Sequence, residues 1–98
     1  MSDDLGYGGI GSYGNKEILT PNLDFLATNG IKFDNFHSNG TVCTPTRSSL
    51  MTGLYPQKTG LEGVIYAKGE TRNYGLDPKF TTIADVFKEN NYKTAIVG

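Results

Sequence analysis

Three stretches read as helices, two of them with apolar positions on one face, and each carries its own start and stop signals. In the first, Leu23, Leu26 and Ala27 share one face, with Thr20 placed to cap, Pro21 to open and Gly30 to terminate. In the second, Thr44 can cap, Pro45 suits the first helical position and Gly53 supplies the stop. In the third, Ile83, Val86 and Phe87 make a core-facing stripe behind Thr82 and Asp85, which are spaced like a capping box; Asn91-Tyr92 ends it. Two stretches read differently. Ile31 and Phe33 alternate with Lys32 and Asp34, which predicts a short strand, and Thr94 to Val97 reads as a buried one. Helix, short turn, then apolar strand predicts a unit of an α/β layered fold. Between Tyr55 and Phe80 the pattern fails: Pro56, Gly60, Gly63, Gly69, Gly75 and Pro78 interrupt it around one apolar patch, Val64-Ile65-Tyr66. That predicts a long loop, of the kind that is functional or poorly ordered.

Composition narrows the picture. The 98 residues suffice for one small domain with a modest core, and 13 glycines make it loop-rich. A formal net charge of −1 leaves no basic footprint for nucleic acid. No apolar run approaches a membrane span, no signal peptide is present, and there are no internal repeats or charge blocks. One cysteine excludes an internal disulfide framework, and with one histidine it argues against a structural zinc site.

The candidate chemistry begins at the single cysteine. Cys43 sits just before a predicted helix, where unpaired N–H groups and the positive end of the helix dipole favour negative charge. Arg47 follows four residues on, within reach if the helical turn is already forming. The plain alternative is a lone cysteine acting as a small buried hydrophobe ahead of an ordinary helix start. Asp3-Asp4 is either a solvated tail or a cation-binding pair. The second reading requires the chain to turn there, which Gly6, Gly8, Gly9 and Gly11 make easy. His37 reads as a surface or packed residue, with a ligand or general base as the alternative. Asn39-Gly40-Thr41 fits a turn and also a glycosylation sequon, and a glycan beside a working cysteine would obstruct it; the turn is preferred. Tyr66, Arg72 and Tyr74 are pocket candidates, read first as plain loop residues.

Cys43-x-Pro45-x-Arg47 followed by Ser48-x-Leu50-Met51-Thr52-Gly53 resembles the first signature of the sulfatases. Asp3-Asp4-Leu5-Gly6-Tyr7-Gly8 is similar to the N-terminal metal-binding element of that family, although Gly9 stands where members commonly carry an aspartate. Thr20-Pro21-Asn22-Leu23-Asp24 with Leu26-Ala27, then Gly30-Ile31-Lys32-Phe33, resembles its next block, and Tyr92-Lys93-Thr94-Ala95-Ile96-Val97-Gly98 the opening of its second signature. Four blocks in order cover nearly the whole chain.

The resemblance implies that residues 1–98 are the N-terminal portion of a sulfatase catalytic domain. The implied fold is α/β, a partial alkaline-phosphatase-like layered fold lacking its first strand and most of its central sheet. The implied reaction is hydrolysis of sulfate esters. Cys43, oxidised to formylglycine by a sulfatase-maturating (formylglycine-generating) enzyme, would be nucleophile and metal ligand. Asp3 and Asp4 would be further ligands to calcium, with magnesium or manganese as alternatives, and Arg47 would hold and help ionise the hydrated aldehyde. Thr44, Pro45 and Thr46 lie inside the motif that the maturating enzyme reads. The lysine and histidine of the second signature, and later metal ligands, lie beyond Gly98, so the expectation is a fragment with little or no activity alone. Three alternatives stay open: a phosphonate monoester or phosphodiester hydrolase of the same superfamily, a non-catalytic remnant with unmodified Cys43, and a self-contained domain with a buried thiol. Family members are often exported, periplasmic or lysosomal, and the sequence leaves the compartment open.

Overall fold

Proline at a helix start and glycine at its end set most element boundaries in this chain. A computed structural model describes residues 1–97; Gly98, the last residue of the second-signature stretch, lies outside them. Among the described residues there are four helices: α1 (Pro21–Asn29), α2 (Cys43–Thr52), α3 (Pro56–Thr59) and α4 (Ile83–Glu89). Short 3-10 turns occur at Tyr7–Gly9, Gly11–Tyr13 and Glu70–Asn73. The chain divides into two units, Met1–His37 and Ser38–Gly98.

In the first unit, polar side chains arrange the backbone ahead of α1. Thr20 occupies the N-cap position, but its hydroxyl does not cap. It accepts the Gly11 N–H at 2.8 Å and donates to the Asp24 carboxylate at 3.2 Å. Asp24 in turn accepts the Ser12 N–H at 2.6 Å. A Cβ on Gly11 would lie 2.6 Å from an Asp24 oxygen, so a side chain there would push the carboxylate off its present contacts. Tyr13 gathers the other end of the unit. Its hydroxyl donates to the Phe33 carbonyl at 3.0 Å, Tyr7 packs against its ring at 4.4 Å, and the Lys32 ammonium lies 5.0 Å from the ring centroid. Lys32 also pairs with Asp34 at 3.1 Å, and that hydrogen bond holds its pKa above the ordinary lysine value.

The second unit packs α2 against α3 through small side chains. Pro45, Ser48, Ser49, Pro56 and Thr59 are buried, and Leu61 is the only buried aliphatic side chain among the described residues. Ser48 donates to the Pro45 carbonyl at 3.0 Å and Thr59 to the Pro56 carbonyl at 3.0 Å, so neither buried hydroxyl is stranded. Gly53 (φ 70°) and Gly60 (φ 74°) close α2 and α3 in the left-handed region, their N–H groups returning to the Ser49 and Pro56 carbonyls. In α4 the capping box forms as the spacing predicts: Thr82 accepts the Asp85 N–H at 3.3 Å, and Asp85 accepts the Thr82 N–H at 2.8 Å. Asn91 takes φ 64° just past its end, and Phe87 meets Tyr92 edge to face at 5.2 Å.

Two expectations are corrected. The long loop predicted over Tyr55–Phe80 contains α3 and a 3-10 turn; Pro56 and Gly60, taken as interruptions, are the start and cap of one short helix. The predicted strands are absent among the described residues. A strand exists only where a neighbouring backbone takes its N–H and C=O groups. Residues 31–34 instead hold Tyr13 through side chains and one carbonyl, and Ile96 and Val97 are 99% and 97% exposed. The described residues are therefore helical, without the sheet of an α/β layer. The apolar faces of α1 and α4 are also open, with Leu26 64% and Val86 48% exposed, where the patterning predicts core contacts.

Two outcomes follow from these contacts. A Cβ at Gly40 would lie 2.8 Å from Pro45 Cβ and 2.9 Å from the Thr46 nitrogen. Gly40→Ala is therefore expected to destabilise the second unit by roughly 1–3 kcal/mol, read by denaturant titration. The hydrogen bond from the Thr82 side chain, then that from its backbone, holds the Asp85 carboxyl below the usual carboxylate range. A depressed pKa stabilises above the unfolded value of about 3.9 and loses that contribution as pH falls through the folded value. The α4 amide signals should therefore weaken on acidification below about pH 4, and Asp85→Asn should flatten that acid limb.

Candidate active site

The first turn of α2 is held in place by residues before and after it. Val42, extended at φ −138° and ψ 173°, precedes the helix, and no side chain caps it. Cys43 is the first helical residue, exposed and not in a disulfide. The structure moves the predicted roles by two positions. Thr44 is the second helical residue and not the cap, and its hydroxyl accepts the Ile65 backbone N–H at 3.1 Å. Pro45 is the third, where a missing N–H is still harmless because the first turn has no intrahelical acceptors for its donors. Thr46 donates its hydroxyl to the Gly40 carbonyl at 2.9 Å, and Ser38 donates to the same carbonyl at 2.8 Å. The bends around Asn39-Gly40-Thr41 thus close onto the helix, in keeping with the turn reading.

Arg47 lies one turn after Cys43 on the same helix. Positions four apart share a face, about 5–6 Å between Cβ atoms. An exposed thiol, the positive end of a ten-residue helix and a guanidinium therefore share one end of α2. A negative group there meets favourable charge from both backbone and side chain.

Asp3 and Asp4 lie in the first unit, both exposed and both in a bend. Asp4 has φ 49°, in the left-handed region. That conformation breaks the alternation by which consecutive strand residues face opposite ways. The turn that a cation-binding pair requires is present. Two carboxylates suit a hard divalent cation by donor chemistry, but such an ion takes six or more oxygens. Among the described residues no group of three or more His, Cys, Asp or Glu gathers to hold a metal.

The remaining candidates are not residues of α2. His37 is exposed, its Nε2 3.0 Å from the Asn35 side-chain oxygen. Tyr66 is exposed outside helix and strand, and Arg72 is exposed within the 3-10 turn Glu70–Asn73. Tyr74 lines a cavity of about 220 Å³ together with Leu61, Val64, Ile65 and Thr71. Sequence reasoning missed the Thr44–Ile65 contact. No local signal announces a bond across 21 residues, and Thr44 fits equally well the capping role first assigned to it.

A model of the sulfatase family matches residues 1–98. Steryl-sulfatase of Mus musculus is 39% identical over the whole of this chain, which covers 16% of that relative. Arylsulfatase A of Bos taurus is 40% identical, again over the whole chain and 19% of the relative. The crystal structure of Ps i-CgsB superposes with a TM-score of 0.83 at 40% identity, covering 92% of this chain and 20% of that one. The chain thus spans about a fifth or less of the length of the proteins it matches. Matched from end to end, with Cys43, Pro45 and Arg47 set in one helical turn, it belongs to the sulfatase family.

Proposed function

We propose that this chain contributes Cys43, Arg47, Asp3 and Asp4 to the active site of a sulfuric ester hydrolase. The observation that carries the reading is the exposed Cys43 at the opening of α2 with Arg47 one turn on. Converted to formylglycine and hydrated, residue 43 would supply two hydroxyls on one carbon, one to attack sulfur and displace the alcohol or phenol, the other to lose a proton as sulfate leaves and the aldehyde returns. An unmodified thiolate offers no such exit, because attack would leave a thiosulfate-like adduct. The start of α2 and the Arg47 guanidinium stabilise the negative charge that develops there. Asp3 and Asp4 would hold a divalent cation, for which calcium is the hard, oxygen-seeking choice; the cation supplies charge that lowers the pKa of a hydroxyl and neutralises sulfate oxygens.

Two carboxylates and residue 43 fill only part of a calcium shell. The 98-residue chain alone is therefore expected to turn over sulfate esters poorly or not at all. The finer fold reading is of the same kind: the sulfatase match supports a partial alkaline-phosphatase-like layering around these helices.

The reading has direct tests. In the whole natural protein carrying this chain, made with a maturating enzyme, intact mass should show loss of sulfur at Cys43. Cys43→Ala should abolish aryl sulfate hydrolysis. Hydrolysis by protein whose Cys43 remains a thiol would refute the mechanism. Arg47→Ala should lower kcat on the order of 10²-fold, the scale of one lost transition-state partner. Asp3→Asn and Asp4→Asn should each weaken calcium binding by at least about tenfold in calorimetry. Unchanged affinity would remove both residues from the metal site.

A further inference from the structure

The hydroxyl of Thr44 is engaged outside its own helix. It accepts the Ile65 backbone N–H at 3.1 Å, across 21 residues. The next amide is held the same way, the Tyr66 N–H donating to the Thr71 hydroxyl at 2.9 Å. Residues 60–69 between α3 and the last 3-10 turn lie outside helix and strand, so threonine side chains take over backbone pairing that a ladder would otherwise supply. Val64 and Ile65 are half-buried and line the cavity of about 220 Å³ with Leu61, Thr71 and Tyr74. Thr44 immediately follows Cys43, so an amide of this cavity wall is anchored one residue from the candidate nucleophile.

We propose that Thr44 is a positioning residue, whose hydroxyl fixes the Val64–Ile65 wall against the first turn of α2 and so governs how the organic part of the ester seats beside residue 43. The proposal rests on the sulfatase reading above. Its physical basis is that a loop segment held by few hydrogen bonds shifts when one is lost, and that misplacement on the scale of an ångström is enough to spoil substrate alignment. The Gly40 carbonyl, which accepts from Thr46, and Thr59, which meets the Ser48 hydroxyl at 3.5 Å, hold α2 at other points, so loss of the Thr44 bond alone releases the wall rather than the helix.

The test compares Thr44→Val, which removes the hydroxyl at nearly constant shape, with Thr44→Ser, which keeps it, in the whole matured protein. Three quantities are read: hydrogen exchange of the Ile65 amide, the fraction of Cys43 converted by intact mass, and kcat and KM for 4-nitrophenyl sulfate per converted molecule. In Thr44→Val the Ile65 amide should exchange about tenfold faster, the measure of one hydrogen bond of ordinary strength. KM should rise several-fold with kcat nearly unchanged, and Thr44→Ser should restore both. Wild-type exchange and KM in Thr44→Val would overturn the proposal. So would a variant that lowers only the conversion of Cys43, because Thr44 would then matter to maturation alone. If Thr44→Val does not fold, Thr44→Ser decides: an Ile65 amide left unprotected there overturns the contact. A wild-type protein whose Cys43 is never converted would defeat the formylglycine mechanism separately, and the Ile65 amide would still decide whether Thr44 holds the wall.

Discussion

The close approach of Gly40 to Pro45 is the constraint from which the second unit takes its form. A side chain at position 40 would meet both Pro45 and the Thr46 backbone, so the chain can lie there only without one. In that position the Gly40 carbonyl receives two hydroxyls, from Ser38 and Thr46. Pro45, almost wholly buried, then serves as the pivot of α2. Its carbonyl accepts from Ser48 on the next turn, and Ser48 lies against Thr59 of α3. Cys43 is exposed at the head of this helix, where no side chain caps it.

The interior so formed is made of small and polar residues, unlike the aliphatic cores that dominate most domains. Ser48, Ser49, Thr59 and two prolines do what leucines and valines do elsewhere. Short side chains let helices approach closely, but they bury little apolar area, and burial supplies most of the stability of a fold. Meanwhile Leu23, Phe25 and Leu26 on α1, and Ile83, Val86 and Phe87 on α4, present apolar surface that their own units leave uncovered. Order in both units rests heavily on directional contacts. The Thr20–Asp24–Gly11 group serves the first unit in this way, and the Thr82–Asp85 box serves α4.

Local rules were legible in the sequence wherever both partners lie within a few residues. The Thr82–Asp85 box and the glycine caps of α1 and α2 follow from spacing alone, and Pro21 opens α1 as expected. Pro56 and Gly60 carried the same message for α3, but four residues are too few to show a period, so they looked like interruptions. Strands failed for a different reason. Alternation in Ile31–Asp34 and the apolar run Thr94–Val97 record a preference, and a preference becomes a strand only beside another backbone. Cys43 and Arg47 were legible through their spacing and resemblance to a family signature. The tie from Thr44 to Ile65 was not, because it depends on tertiary arrangement.

The placement of Pro45 within the first turn has an effect on how an anion is received. A helix start normally offers a fan of amide hydrogens, and here the fan is reduced. Position 45 has no hydrogen to give, and the Thr46 amide is already turned back to Val42 at 3.3 Å. Within the helix, only the amides of Cys43 and Thr44 are left without an acceptor. On the proposed reading, an oxyanion would therefore meet a narrow two-pronged grip in place of a diffuse positive field, with its bearing set by the backbone and its charge balanced by Arg47 from one turn below.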